Sequence, residues 1–519
     1  MDNREREALS HERKAILVMP IKSGLDEQGR YLAGVVTSEI ISSLSRSQSL
    51  RVLTVPREFA DSDTRWSQQI INGNNVGLTL SGDLSLGEGR LRLSARIIDQ
   101  HDFRVVWTKV FNEDISQLFS IPTVISAQLA FETGVIFKAD QLEFPGQEAF
   151  DLYTQADMML SSYDPALLSQ SISLFRQCMK MAPDFRPVYE KLSMALMQYH
   201  NTGIDYHPKY LDEAYQTILE GRAKLGDSPL LSTLEIWTHL YCYDFPGAKI
   251  LVDRMNREFV DPVGSKHLVW LLFFQGQTTQ GLELLEDSIR REPFEASYHL
   301  NRVVLNTMMG NSAQVDLAVK EAREVFRSPM VEAIIDGWRA MAGQDFNLAL
   351  KIFKRARQGT QYHLMDLACA EALFCQGDYA QAAESLEFWL GQNPYAVEGW
   401  WMLCLCYELQ HKEAEHQKAA TEAARYIDML YNRLQAPFLK EAKRYFNVLN
   451  KSGISSAFDQ DAPDFAGSDS MTRYLSYVIR LRLGMVDEDG KVPVPFNPTY
   501  WLNRFYKKEI GLIQNLTTD

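Results

Sequence analysis

The sequence predicts a mainly α protein: a small α/β domain with a mixed sheet and helices at the amino terminus, followed by an α-helical repeat solenoid. Three observations carry that reading. Between residues 76 and 111, apolar and polar side chains alternate with period two in three consecutive segments, the pattern of an antiparallel meander with one buried face. From about residue 147 the pattern changes to paired helices with small residues and proline at their ends, recurring about every 34 residues. The length, 519 residues, suits roughly three domains of about 150 residues, or fewer where one is a long repeat array. The expected divisions are a charged segment 1–13, an α/β domain 14–140, a helical array 147–450 and a tail 451–519.

Within the α/β domain, KAILVMPI (14–21) is a short apolar run rich in β-formers and reads as a buried strand. In 31–47, Leu32, Val35, Val36, Ile40 and Leu44 form one stripe at helical spacing. LRVLTVPR (50–57) returns as a strand, and TRWSQQIIN (64–72) reads as a short helix. In the meander, Val76, Leu78, Leu80, Leu84 and Leu86 share one face, and Leu91, Leu93, Ala95 and Ile97 continue it. DQHDF then turns into RVVWTKVF.

Gly82 and Gly87 have the G-x-x-x-x-G spacing of a phosphate loop, but Glu88 and Gly89 stand where Lys and Ser or Thr are needed. A strand follows instead of a helix, so no helix amino terminus faces the loop. The reading is a hairpin turn, with Gly87–Gly89 expected to supply positive φ.

Taken together, ILVMPI, the helix with SEIISSLSR, LRVLTV, Gly82, the strand RLRLSARIID and Val106-Trp107 resemble the amino-terminal domain of TolB. The form it resembles stands beside tetratricopeptide repeats behind bacterial class III adenylate cyclase domains and CadC- or HilA-type winged-helix domains. The resemblance spans about residues 14–137. It implies a bacterial regulator in signalling or transcription. No cyclase carboxylates and no winged helix precede the module in this sequence, so the expected output passes through another chain.

The array carries the tetratricopeptide signature in several frames. Frame 330–363 places Gly337, Ala349, Phe353 and Ala356 at its small and aromatic positions. Frame 363–396 carries Ala370, Ala382 and the closing Pro394, and frame 262–295 carries Gly281 and Pro293. Trp400, Leu403, Cys404 and Tyr407 match W-x2-L-G-x2-Y with Cys replacing Gly, and the first pair, 149–185, closes at Pro183. Small residues let two helices approach, an aromatic fills the gap to the next pair, and stacking buries what one pair cannot. Seven or eight pairs are expected between 147 and 434, those near 205–260 being degenerate. Beyond them come an acidic loop (458–470), a capping helix (471–484), an extended KVPVPFNP and a last helix opened by Asn497 and Pro498.

The groove-lining positions of tetratricopeptide first helices, carried onto these frames, give Trp270, Phe273 and Phe274; Ile334, Trp338 and Met341; Leu367, Glu371 and Phe374; Trp401 and Leu405. The candidate partner-binding residues are Trp270, Phe273, Phe274, Trp338, Met341, Phe374 and Trp401. Either this apolar wall is open to a partner helix or peptide, or irregular repeats close on it, or the tail covers it with Phe496, Tyr500, Trp501 and Phe505.

Other chemistry is absent from the sequence pattern. His411 and His416 are five apart, not the four of HExxH. His200 and His207 flank a loop and default to the surface. The six cysteines show no CxxC spacing and read as free, buried thiols of a reducing compartment. No catalytic residue, cofactor site or metal site is expected. Residues 1–140 hold 16 Lys+Arg against 18 Asp+Glu, and the remainder 37 against 49, giving the net charge of −14. An acidic body disfavours nucleic acid and anionic membrane. The amino terminus lacks the apolar core of a signal peptide, and the stretch 119–137, interrupted by Pro122, Gln128 and Glu132, lacks the continuous apolar run of a membrane span. The expectation is a cytoplasmic, non-catalytic interaction protein that binds protein partners through the groove and the edge of the sheet. The alternative is a regulator acting directly on DNA, for which LKEAKRYF (439–446) and FYKKE (505–509) are the short basic runs.

Overall fold

The computed structural model describes residues 14–24, 27–45, 50–55, 71, 74–87, 90–134, 144–161, 165–201, 205, 207–258, 265–274, 277–291, 296–309, 311–325, 329–358, 364–450, 470–483 and 509. The charged segment 1–13, most of 64–72, the turn Glu88–Gly89, the acidic loop 458–469 and the aromatic tail residues 496–505 lie outside them.

The amino-terminal unit is one mixed sheet against two helices. Its strands are β1 (Lys14–Val18), β2 (Lys22–Ser23), β3 (Leu50–Thr54), β4 (Val76–Gly87), β5 (Arg90–Asp99) and β6 (Val105–Asp114). The order is β3-β1-β4-β5-β6, with the short β2 also on β4. β1 lies parallel to both β3 and β4, whereas β4, β5 and β6 form the antiparallel meander. Central β1 is covered on both faces, which is why its sequence is continuously apolar. Ile16 and Val18 face the main core; Ala15 and Leu17 meet Leu53, Val55 and Val76 on the other side. The meander instead alternates, so Leu91, Leu93, Ala95 and Ile97 pack against Leu32, Val36 and Ile40 of α1 (Glu27–Ser45) and Ile121, Ile125 and Leu129 of α2 (Ser120–Thr133).

The two glycines that suggested a loop have different causes. Gly82 lies inside β4, where an added Cβ would stand 2.8 Å from the Ser94 carbonyl oxygen; close strand approach requires it. Gly87 pairs with Arg90 as the last residue of its strand and has no positive φ, contrary to the expected turn geometry.

The sheet unit and the first helices share one core. Phe119 makes edge contacts with Phe150 at 5.9 Å and Phe185 at 5.5 Å, and Lys14 donates to the Thr133 carbonyl at the end of α2. Eight antiparallel pairs follow: α3 (Gln147–Ser161) with α4 (Pro165–Met181), α5 (Arg186–Asn201) with α6 (Lys209–Leu225), α7 (Pro229–Tyr241) with α8 (Phe245–Glu258), and α9 (Ser265–Phe274) with α10 (Thr278–Arg291). Then come α11 (Ala296–Met308) with α12 (Ser312–Val325), α13 (Pro329–Ala342) with α14 (Phe346–Gln358), α15 (Leu364–Gln376) with α16 (Tyr379–Gln392), and α17 (Val397–Leu409) with α18 (Glu413–Leu434). A last pair joins α19 (Pro437–Leu449) to α20 (Ser470–Arg482).

The expected packing logic is visible at Gly337 on α13, which leaves no room for a Cβ against the buried ring of Phe353 on α14. First helices also touch one another, α3 with α5, α5 with α7, α7 with α9 and α11 with α13, and so form the inner layer.

The array curls until early pairs meet late ones. Tyr243, in the turn between α7 and α8, stacks on Phe438 of α19 at 5.0 Å, and Phe245 meets the same ring edge-on at 6.2 Å. The Tyr243 hydroxyl donates to both Glu398 oxygens at 3.0 and 3.1 Å. His207 packs on Tyr395 at 5.0 Å, and Arg433 pairs with Asp212. One apolar cluster consequently runs from Ile236 and Val252 through Phe374 and Trp401 to Val478.

Candidate partner-binding surface

Curling decides how much of the inner wall is left for a partner. Phe273 (3% exposed), Met341 (0%), Phe374 (4%) and Trp401 (3%) are core side chains in this conformation. Leu405 is buried with them. Trp270, Ile334, Trp338, Leu367 and Glu371 are half-buried, and the side chain of Phe274 lies outside the described residues. Trp270 rests edge-on against Phe273 at 5.6 Å, and Trp338 against Phe353 at 5.8 Å.

A pair of carboxylates belongs to the same wall. Crowding by surrounding protein, and then the charge of Glu398, pushes Glu371 up to about 8. Burial also raises Glu398 against the hydrogen bond from Tyr243. Glu398 is nevertheless exposed at its surface and Glu371 half-buried, so water reaches both.

Trp401 owes its burial partly to a residue from beyond α20. Glu509 is fully buried (0%) and takes up four donors at its carboxylate. Trp401 Nε1 donates at 3.2 Å, Tyr474 Oη at 3.1 Å and Arg482 Nη2 at 3.4 Å, and the Tyr445 hydroxyl donates as well. Arg482 is held on its other side by Glu408, with Nη1 and Nη2 at 2.9 and 2.8 Å from the two oxygens. Composition and repeat frames did not single out Tyr445, Tyr474, Arg482 or Glu509. Their signal is three-dimensional, because Tyr445 lies on α19, Tyr474 and Arg482 on α20 and Glu509 beyond it.

The second surface is the sheet. β6 is an edge strand with nothing paired to its outer side among the described residues. Val105 (50%) and Val110 (52%) are open along it. On the adjacent strand Arg90, Arg92 and Arg96 are exposed, with Arg96 bonded to Ser81 at 3.0 Å and Arg90 to the Asn112 carbonyl at 2.8 Å.

Chemistry of other kinds finds little material among the described residues. No group of three or more His, Cys, Asp or Glu is arranged to hold a metal there. No described helix is long and apolar enough to cross a membrane. His200, expected at the surface, is buried. None of the six cysteines is in a disulfide, and Cys375 alone is not buried. Burial pushes the thiol of Cys178 up to about 11 and those of Cys242, Cys369 and Cys406 up to about 12, and also raises Cys404. A neutral, covered thiol is a poor nucleophile. At pH 8 a disulfide-exchange reagent should therefore label the folded chain at Cys375 and reach the other five only in denaturant. Rapid labelling of a second cysteine in the native state would contradict this packing.

Comparison with known proteins adds little. No protein-family model matches the chain, and no curated protein matches it. Among solved structures, a tetratricopeptide repeat protein from Parabacteroides merdae ATCC 43184 is similar at 11% identity over 59% of this chain and 100% of its own, with a TM-score of 0.29. The TPR domain of P58(IPK) is similar at 12% identity over 72% of this chain and 100% of its own, with a TM-score of 0.18. The fold class, a small mixed-sheet unit followed by a solenoid of tetratricopeptide-type helix pairs, rests on the chain's own geometry.

Proposed function

We propose that the chain is a non-catalytic interaction protein of a bacterial regulatory system, docking partner proteins on the inner face of its array and on the open edge of its sheet. The observation that carries this reading is the inner wall between α9 and α15, where Trp270, Trp338 and Leu367 keep part of their apolar surface uncovered beside the water-accessible Glu371. Half-exposed indoles braced by neighbouring rings resemble the anchors that dominate partner binding. A helix or peptide laid along that wall is the mode that fits it. At the other surface, the unpaired backbone of β6 can accept an added strand. An output in signalling or transcription is what the resemblance to TolB-type regulatory modules implies.

Trp338→Ala tests the groove. Proteins captured by the wild-type chain and identified by mass spectrometry should bind the variant about tenfold more weakly or worse, with the helical content unchanged. Unaltered partners and affinities would sink the groove reading. Trp401→Ala does not serve here, because Trp401 is a core residue and its loss would report on stability. Salt-steep retention of DNA by the wild-type chain would favour the direct regulator instead.

A further inference from the structure

The edge strand β6 is complementary in charge to its own reverse. Lys109, Phe111 and Glu113 stand opposite Ala95, Leu93 and Leu91 of β5 and so share the core side of the sheet, whereas Thr108, Val110 and Asn112 share the other. Lys109 and Glu113 are both exposed, and neither is in an ion pair within its own chain. Lys109 Nζ lies 4.8 Å from the centre of the Phe111 ring, at the middle of the strand. A charge on an edge strand discourages pairing with another strand. It does so only where the opposite charge is missing from that strand.

We propose that β6 pairs antiparallel with β6 of a second copy of this chain, about a twofold axis that passes through Phe111 perpendicular to the sheet. This names the occupant of the open edge and rests on that edge being a docking surface. Such an axis keeps each face of the sheet on its own side. Phe111 then meets Phe111 of the second copy, and Lys109 meets the second copy's Glu113 on either side of it. On the outer face Val110, 52% exposed in one chain, meets the second copy's Asn112. Opposite charges directly across an antiparallel pair stabilise it, and like charges destabilise it. An axis at Lys109 would set two lysines against each other, and one at Val110 would set Trp107 against Glu113. The axis at Phe111 avoids both and places each charge opposite its complement. Net charge does not oppose the contact, although the whole chain carries −14. Residues 1–140 hold 16 Lys+Arg against 18 Asp+Glu, so the two sheet units approach almost neutral. The acidic array acts only within a screening length of about 8 Å at physiological salt.

Sedimentation velocity of the full-length chain across micromolar concentrations should show a reversible dimer. Lys109→Glu places a carboxylate opposite Glu113, and Glu113→Lys places an ammonium opposite Lys109, each twice in the dimer. Each change should weaken dimerisation about tenfold or more. The double variant Lys109→Glu with Glu113→Lys restores both pairs with their signs exchanged, and should dimerise within about threefold of wild type. Both side chains are exposed, so helical content should be unchanged throughout. A monomeric wild-type chain overturns the proposal. A dimer indifferent to the single changes also overturns it, because it then uses another surface, as does a double variant no better than the singles. The open edge itself is tested separately by Val110→Lys, through capture of proteins other than this chain. A monomeric chain whose capture of such proteins is lost in Val110→Lys keeps the edge as a docking surface and removes the second copy as its occupant.

Discussion

Arg482→Met should lower the stability of the carboxyl-terminal helices by about 3–5 kcal/mol, the cost of breaking a buried ion pair by removing one partner. The guanidinium is nine-tenths covered and stands between Glu408 and Glu509, at 2.8 Å from the first and 3.4 Å from the second. Methionine fills the volume and leaves both carboxylates without their cation. Burial would raise Glu408, but the hydrogen bonds and charge of Arg482 outweigh it and hold the carboxyl below its ordinary value. A carboxyl with a depressed folded pKa contributes stability above its unfolded pKa, about 4.3, and loses it as pH falls through the folded value. In the variant burial is opposed only by His416, whose effect is the smallest of those on Glu408, so the folded pKa rises and the sign reverses. The deficit of Arg482→Met should therefore be largest near neutral pH and shrink toward pH 5. Urea midpoints at the two pH values, followed by hydrogen exchange in α20, measure this. An equal deficit at both would show that Arg482 acts through its packing alone.

Glu509→Gln sits at the same cluster and has a much smaller expected effect on the array. The contrast follows from connectivity. Arg482 and Glu408 join α20 to α17, whereas Glu509 lies outside those helices and accepts bonds from α17, α19 and α20.

What the sequence could reveal follows the range of the forces involved. Alternation in 76–98 and the stripe of Leu32, Val36 and Ile40 are local, and the meander and α1 lie where those patterns put them. β1 reads as a buried strand for the same reason, although its parallel partners on both sides follow from topology and not from its own residues. The degenerate frames near 205–260 have a local cause of a different kind. Glu235 on α7 is buried between Arg222 at 2.7 Å and Arg254 at 2.9 Å, so a charged triad occupies positions that an apolar frame would fill. The groove residues follow from the positions of a regular superhelix. A frame gives the direction of a side chain from its own helix, but not what arrives from the other end of the curl. Phe374 and Trp401, expected to line the groove, are instead buried in the large apolar cluster. Trp338 and Trp270 are partly buried against their local clusters.

Phe438→Ala should cost about 3–5 kcal/mol, as truncation of a buried phenylalanine does, and its damage should appear in two places. The ring is 2% exposed and is shared by Tyr243 and Phe245 from the third helix pair. In an open solenoid each repeat contacts only its neighbours, so a core lesion in α19 would loosen α17, α18 and α20 and leave α7 and α8 untouched. The seam between Tyr243, Glu398 and Phe438 changes that expectation. Hydrogen exchange should rise in α7 and α8 as well as in α17–α20, while α11–α14, between them along the chain, stay closer to wild type. Tyr243→Phe supplies the complement. It keeps the stacked ring, removes the bond to Glu398, and should loosen the same two regions to a smaller degree. If α7 and α8 keep full protection in Phe438→Ala, the two ends of the curl touch without supporting each other, and the burial of Phe374 and Trp401 must come from their own neighbours. If both regions open together, the same contact that stabilises the curl also limits the inner face, and partner access becomes a property of the seam as well as of the wall.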